Sequence, residues 1–166
     1  MTLADFTTPG MIIPHLQGRD AVGVIQELSQ ALQREGRLPD LLPFYHAALN
    51  REFLVSTDME AGLAFPHARL PALKELSFAF GRSDQPLPWG SKSRPTVRRV
   101  FLLAVPATDS TQYLLLISGL ARLAKEEPLL ESLDAAQDTF QIIEVLRQIK
   151  LRTSSAPGAL NKTMTR

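Results

Sequence analysis

The sequence predicts a single layered α/β domain, with a mixed β-sheet flanked by helices on both faces. Three observations carry that expectation. The run Val100-Phe101-Leu102-Leu103-Ala104-Val105 is apolar without alternation, as a strand covered on both faces requires. Leu76, Phe78 and Phe80 alternate with Ser77 and Ala79, the period of a strand with one strongly apolar face. Segments on either side of these runs repeat apolar residues at helical spacing and supply the covering layers.

Taken in chain order, Met11–Pro14 is a short apolar stretch that reads as a strand ended by Pro14. Ala21, Val24, Ile25, Leu28 and Leu32 then fall on one helical face, with Gln26, Glu27, Gln30 and Gln33 turned outward. Asp20 is placed to cap that helix and Gly36 to follow its C-terminal end. A second helix is expected over about Leu41 to Asn50, where Pro43 is tolerable only in the first turn. From Phe53 to Leu70 the chain shows no helical period and reads as loop with short strands. Ser83–Thr96 is rich in proline, glycine and serine and reads as a long connecting loop that contains the single tryptophan, Trp89.

After the apolar strand, Tyr113, Leu116, Ile117, Leu120 and Ala124 mark a third helix, with Ser110 or Thr111 as its cap. Pro128 begins a short helix through about Ala135. Ile142, Val145, Leu146 and Ile149 mark a last amphipathic one, capped by Asp138. The expected domain covers residues 1–150. The segment 151–166, dominated after Thr153 by Ser, Thr, Pro, Gly and Asn, is expected to be a disordered tail.

Composition narrows the function classes. The chain has 166 residues, a length suited to one domain with a sizeable core. Its formal net charge of +1 offers no electrostatic pull toward nucleic acid or an anionic membrane. The absence of cysteine removes disulfides, thiolate catalysis and thiolate metal sites from this sequence. With no His-x-x-x-His pair either, neither a metal nor another cofactor is expected. No apolar run is long enough to span a bilayer, and the N-terminus lacks a charged region followed by an apolar one. These features point to a cytoplasmic protein.

The stretch Ser56–Leu70 concentrates the chemistry. It holds His67, one of three histidines, fixed behind Pro66 with Arg69 two residues on, while Arg51 lies just upstream. A neutral imidazole is a nucleophile, and guanidinium groups grip phosphoryl oxygens in bidentate fashion. The plainer alternative is an exposed loop histidine beside solvated charges. Arg51 likewise has an ordinary alternative, an ion pair with Glu52 or Glu60. Ser56 and Thr57 offer either hydroxyl donors or turn caps. On an extended segment Arg69 would share a face with His67. Trp89 serves either loop packing or a docking surface, and His15 and His46 read as ordinary surface residues.

These residues also carry a family resemblance. Arg51-Glu52, Ser56-Thr57 and Gly62-Leu63-Ala64-Phe65-Pro66-His67-Ala68-Arg69-Leu70, followed by Phe101-Leu102-Leu103-Ala104-Val105-Pro106, Tyr113-Leu114-Leu115-Leu116 and Leu120-Ala121-Arg122-Leu123, occur in this order. Over roughly Met11 to Ile149 the chain resembles enzyme IIA of the fructose–mannitol type in the bacterial phosphotransferase system, including its nitrogen-regulatory relatives. The resemblance implies that His67 accepts a phosphoryl group from the phosphocarrier protein HPr or a paralogue, with Arg51 as phosphoryl clamp. Arg69, Thr57, Ser56 and Tyr113 are the supporting candidates. The group then passes to a separate, cysteine-bearing IIB protein in sugar uptake, or its presence regulates another protein. The altered motif leans toward the regulatory branch.

The chain departs from the family pattern at four positions. Asp58 and Glu60 stand where glycines are common, Ala61 where asparagine is, and Tyr113 where many members carry a second histidine. Carboxylates aimed at the site would oppose a phosphoryl dianion, and tyrosine brings a hydroxyl but no positive charge. Those departures motivate an alternative, a IIA-like interaction module that has lost phosphoryl transfer. A small hydrolase pairing His67 with Asp58 lacks an accompanying serine or cysteine nucleophile motif.

Overall fold

The computed structural model describes residues 1–90, 94–108 and 111–152. Two 3-10 turns, Leu3–Phe6 and Pro9–Met11, lead into β1 (Ile12–Ile13), α1 (Ala21–Arg34) and α2 (Leu41–Leu54). Three short strands follow, β2 (Asp58–Met59), β3 (Leu63–Ala64) and β4 (His67–Leu70), and then the long pair β5 (Ser77–Leu87) and β6 (Val97–Pro106). The described chain closes with α3 (Thr111–Ala124), α4 (Glu127–Ala135) and α5 (Thr139–Leu146).

The sheet is mixed and centred on β6. One edge of β6 pairs antiparallel with β5, which pairs parallel with β1; the other edge pairs parallel with β3 and β4. Leu63 lies opposite Arg99 and His67 opposite Leu103, so register is kept across the Phe65–Pro66 interruption between β3 and β4. β2 folds back antiparallel on β3.

Strand alternation sends side chains into two cores. Phe78, Phe80, Phe101, Leu103 and Val105 pack with α3, α4 and α5. Ala79, Val100, Leu102 and Ala104 pack with α1 and α2. The layered α/β architecture expected from the sequence is the one observed. β5, anticipated with a single strongly apolar face, is covered on both: the alanine at 79 is the small counterpart that lets α1 approach.

Local signals placed most boundaries. The Asp20 side chain accepts from the Gly23 N–H at 2.9 Å, and Asp138 accepts from the Gln141 N–H at the same distance. Gly36 follows α1 at φ 75°, and Pro43 lies in the first turn of α2. Thr111 begins α3, while Ser110, the other candidate cap, lies outside the described residues. The tail expectation from residue 153 onward also lies outside them. Leu151 still packs on the core, and its N–H donates to the Met1 carbonyl.

Two expectations are corrected. α2 runs to Leu54 rather than ending near Asn50, because its buried stripe Phe44–Ala48–Glu52 extends one more turn. The segment from Ser83 is not loop throughout: β5 continues to Leu87 through an irregularity beyond Arg82, and Trp89 is buried. Pro86 is accommodated in that irregular stretch, where the ladder with β6 is interrupted.

Two arginines on neighbouring strands tie the sheet to α4. Arg82, only 8% exposed, donates to the carbonyls of Pro14, Leu133, Asp134 and Ala136, which places its charge at the C-terminal end of α4. Its partner across the ladder, Arg99, makes a two-pronged ion pair with Asp134 and also donates to the Ala61 carbonyl. No helix among the described residues is long and apolar enough to cross a membrane.

Phe101 lies against Phe65, Phe78 and Phe80, with ring centroids 5.7, 5.4 and 4.7 Å away. Phe101→Ala should therefore destabilise the fold by roughly 3–5 kcal/mol, read as a lower urea midpoint. An unchanged midpoint would show that this cluster does not anchor the sheet.

Candidate functional site

His67 begins β4, which borders β6 and has no strand on its outer side among the described residues. Phe65 packs toward α3–α5, whereas Ala68 belongs to the α1–α2 core. By alternation, His67 and Arg69 share the face that looks toward α3. Tyr113, in the first turn of α3, has its ring centroid 6.4 Å from the His67 ring. The Arg69 guanidinium carbon lies 4.9 Å from the centre of the same tyrosine ring, a cation–π arrangement.

From the opposite layer, α2 brings Ala47 and Arg51 around the free edge of β4. With His67, Ala68, Arg69, Val105 and Tyr113 they line a cleft of about 300 Å³. Of the sequence candidates, the fold thus gathers His67, Arg51, Arg69 and Tyr113. Arg51 Nη1 donates to the Val55 carbonyl at 2.8 Å, at the C-terminal end of its own helix, and does not pair with Glu52 or Glu60 among the bonds of the described residues. Arg69 Nη1 reaches the Pro106 and Ala107 carbonyls at 3.3 and 3.5 Å.

Ser56 and Thr57 do not line this cleft. Ser56 Oγ donates to Asp58 Oδ1 at 2.6 Å, and Thr57 Oγ1 donates to Glu52 Oε1 at 2.7 Å. Asp58 and Glu60 do not line it either, and Glu60 is exposed. No non-glycine residue among those described takes positive φ, so Asp58 and Glu60 sit without that form of backbone strain. His15 contacts Asp84 on the exposed surface at 3.1 Å, and His46 lies beside Tyr45 on α2; neither reaches the cleft.

The imidazole itself is oriented by the backbone. His67 Nδ1 lies 3.0 Å from the Phe65 carbonyl. A carbonyl oxygen can only accept, so the hydrogen is assigned to Nδ1 and the lone pair to Nε2. The next carbonyl, that of Pro66, accepts from the Leu103 N–H at 2.9 Å and pins the segment to β6.

Glu52 was legible in the sequence only as half of a dipeptide motif or as an ion-pair partner. Its position on the buried stripe of α2 makes it a core residue, 5% exposed. Its two oxygens accept from the Thr57 N–H at 2.7 Å, the Thr57 hydroxyl at 2.7 Å and the Trp89 indole N–H at 2.9 Å. Trp89, 2% exposed, is therefore packing and hydrogen-bonding material rather than docking surface. Beside it, Gly90 has φ 67°, and a Cβ there would stand 2.7 Å from Ser56 Oγ. The helical phase shared by Phe44, Ala48 and Glu52 was the available signal for this network.

Comparison with known proteins decides the family. Residues 5–149 match the family model for the phosphoenolpyruvate-dependent sugar phosphotransferase system, EIIA 2. The chain belongs to this family. Among its relatives is a nitrogen regulatory protein of Bradyrhizobium diazoefficiens, 30% identical over 147 residues, which span 88% of this chain and 95% of the relative. The EIIA fold is shared with the nitrogen regulatory protein IIA-Ntr of Neisseria meningitidis, at TM-score 0.74 and 23% identity over 87% of this chain and 98% of that one. It is shared also with the mannitol enzyme IIA of Escherichia coli, solved as a complex with phosphorylated enzyme IIB, at TM-score 0.70 and 18% identity over 82% and 94% of the two chains.

The hydrogen-bond geometry of the EIIA cleft has a direct spectroscopic consequence. In nitrogen-resolved NMR spectra, neutral His67 should be a single tautomer with hydrogen on Nδ1 and none on Nε2. A predominant Nε2–H form would contradict the Phe65 contact.

Proposed function

We propose that this chain is a phosphohistidine carrier in which His67 accepts a phosphoryl group from the phosphohistidine of HPr or a paralogue. The observation that carries this reading is His67 in a cleft also lined by two arginines, with Nδ1 turned onto a carbonyl. The Nε2 lone pair attacks phosphorus, the donor's N–P bond breaks, and the donor imidazole keeps that electron pair. The new N–P bond leaves a cationic ring with hydrogen still on Nδ1, and its bond to the Phe65 carbonyl strengthens as charge develops.

Such a transfer needs positioning and neutralisation of phosphoryl oxygens more than covalent activation. Arg51 is the proposed clamp. It exchanges the neutral Val55 carbonyl for charged oxygens, a stronger partner for guanidinium. Arg69, held over the Tyr113 ring, adds a second positive charge, and Tyr113 offers a hydroxyl donor. Asp58 and Glu60 lie off the cleft lining, which weakens two of the motives for reading the chain as an interaction module without phosphoryl transfer; another, Tyr113, does line the cleft.

The group then goes to a cysteine-bearing IIB partner, or its presence on His67 regulates another protein in the cytoplasm. The nitrogen regulatory relative, aligned over 95% of its own length, supports the regulatory route, and a fructose-like EIIA component of Escherichia coli, aligned over the same share, supports transfer to a IIB protein.

Incubation with phosphoenolpyruvate, enzyme I and HPr-type donors should place acid-labile phosphate on the wild-type chain and none on His67→Gln. Arg51→Ala should slow uptake roughly 30-fold, the equivalent of about 2 kcal/mol for a lost charge-assisted contact. No label on the wild type with its cognate donors, or label that survives His67→Gln, would overturn the assignment.

A further inference from the structure

We infer that Glu52 is a positioning residue for His67, acting through Thr57 and the backbone of Phe65, with Trp89 as the group that holds the Glu52 carboxyl in place. The inference rests in part on the phosphoacceptor role proposed for His67, but its geometry does not.

The connection is continuous. Trp89 Nε1 and Thr57 N both donate to Glu52 Oε2, at 2.9 and 2.7 Å. The Thr57 hydroxyl donates to Glu52 Oε1 at 2.7 Å, which turns its oxygen lone pair toward the Phe65 N–H, received at 3.1 Å. The Phe65 carbonyl then accepts from His67 Nδ1 at 3.0 Å. The two peptide groups flanking Phe65 are thus held, one by Thr57 and the other by the imidazole and Pro66.

Between β3 and β4 the β6 ladder takes the Pro66 carbonyl, on the Leu103 N–H, while the N–H and carbonyl of Phe65 bond elsewhere. The Phe65 N–H is shared within Thr57, donating to its hydroxyl at 3.1 Å and, at the longer 3.4 Å, to its carbonyl, so the hydroxyl is the shorter of the two contacts. Rotation of that residue would carry its carbonyl away from Nδ1 and release the ring to either tautomer. Glu52 suits the task because both its oxygens act as acceptors inside the core. With a hydrogen donated to Glu52, Thr57 has one orientation rather than three. Trp89 supplies the third bond from the β5–β6 connection, a segment remote in sequence from the cleft. Its indole is therefore also a built-in optical reporter of the site.

The test combines tautomer measurement with phosphoryl uptake on variants whose folding is checked by circular dichroism. Thr57→Val removes the hydroxyl at nearly constant shape, and Glu52→Gln replaces one acceptor oxygen by a donor. Both should turn the single Nδ1–H tautomer into a mixture and slow phosphoryl uptake about tenfold. Thr57→Ser should restore both properties, and Trp89→Phe should give an intermediate loss. A wild-type tautomer and wild-type uptake in folded Thr57→Val would overturn the inference. So would an equal loss in Thr57→Ser, because packing rather than the hydroxyl would then be responsible. If Glu52→Gln does not fold, the Thr57 pair decides alone. If the wild-type chain takes up no phosphate while the tautomer responds as expected, the phosphocarrier reading falls and the positioning role stands.

Discussion

The parallel pairing of β3 and β4 along one edge of β6 is the constraint from which the rest follows. A strand with Phe101, Leu103 and Val105 on one face and Val100, Leu102 and Ala104 on the other must be covered twice. Helices α1 and α2 cover one face, and α3, α4 and α5 the other. The free side of β4 is then the line where the two layers come nearest each other around the sheet. A residue there is within reach of α2 from one side and α3 from the other. His67 occupies that line opposite Leu103, so Arg51 and Tyr113 converge on it from different layers.

The interruption at Phe65–Pro66 is what gives that edge its chemistry. Proline has no N–H to contribute to a ladder, and at this point the Phe65 N–H turns to the hydroxyl and carbonyl of Thr57 and its carbonyl to the imidazole. Burying polar groups costs several kcal/mol unless each finds a partner, so the break has to be closed by hydrogen bonds. Thr57 and Glu52 close it from one side and the imidazole from the other. The family arginine–glutamate dipeptide thereby divides its labour between the two faces of α2. Arg51 turns to the cleft, while Glu52 turns into the core and meets Trp89.

Charge in the cleft is preorganised. Arg51 rests on the C-terminal carbonyl of its helix, a favourable site for a cation, and Arg69 rests over an aromatic face. Both arginines line the cleft, and Arg51 pairs with no acid among the described residues. The contact of Tyr113 with Arg69 gives the ring a role that does not require a charge of its own. In this chain the cationic character of the cleft therefore rests on the two arginines.

Much of this was legible in the residues. Continuous apolarity at Val100–Val105, helical spacing at Tyr113–Ala124 and caps at Asp20 and Asp138 are local features, and local sterics and hydrogen bonding decide them. Side-chain alternation likewise placed Arg69 on the face of His67, and the spaced motif blocks placed the family. The reach of β5 to Leu87 was not legible, because proline and serine argue for a loop and only pairing with β6 overrides them. Nor was the buried state of Glu52 and Trp89: a glutamate on a helix is ordinarily solvated, and only packing at long range brings an indole N–H to it. The sequence by itself determined the layers, the histidine proposed as acceptor and the chemical character of its neighbours. Tertiary structure alone decided which hydroxyl and which carboxyl serve the imidazole, since those distances join segments that share no local periodicity.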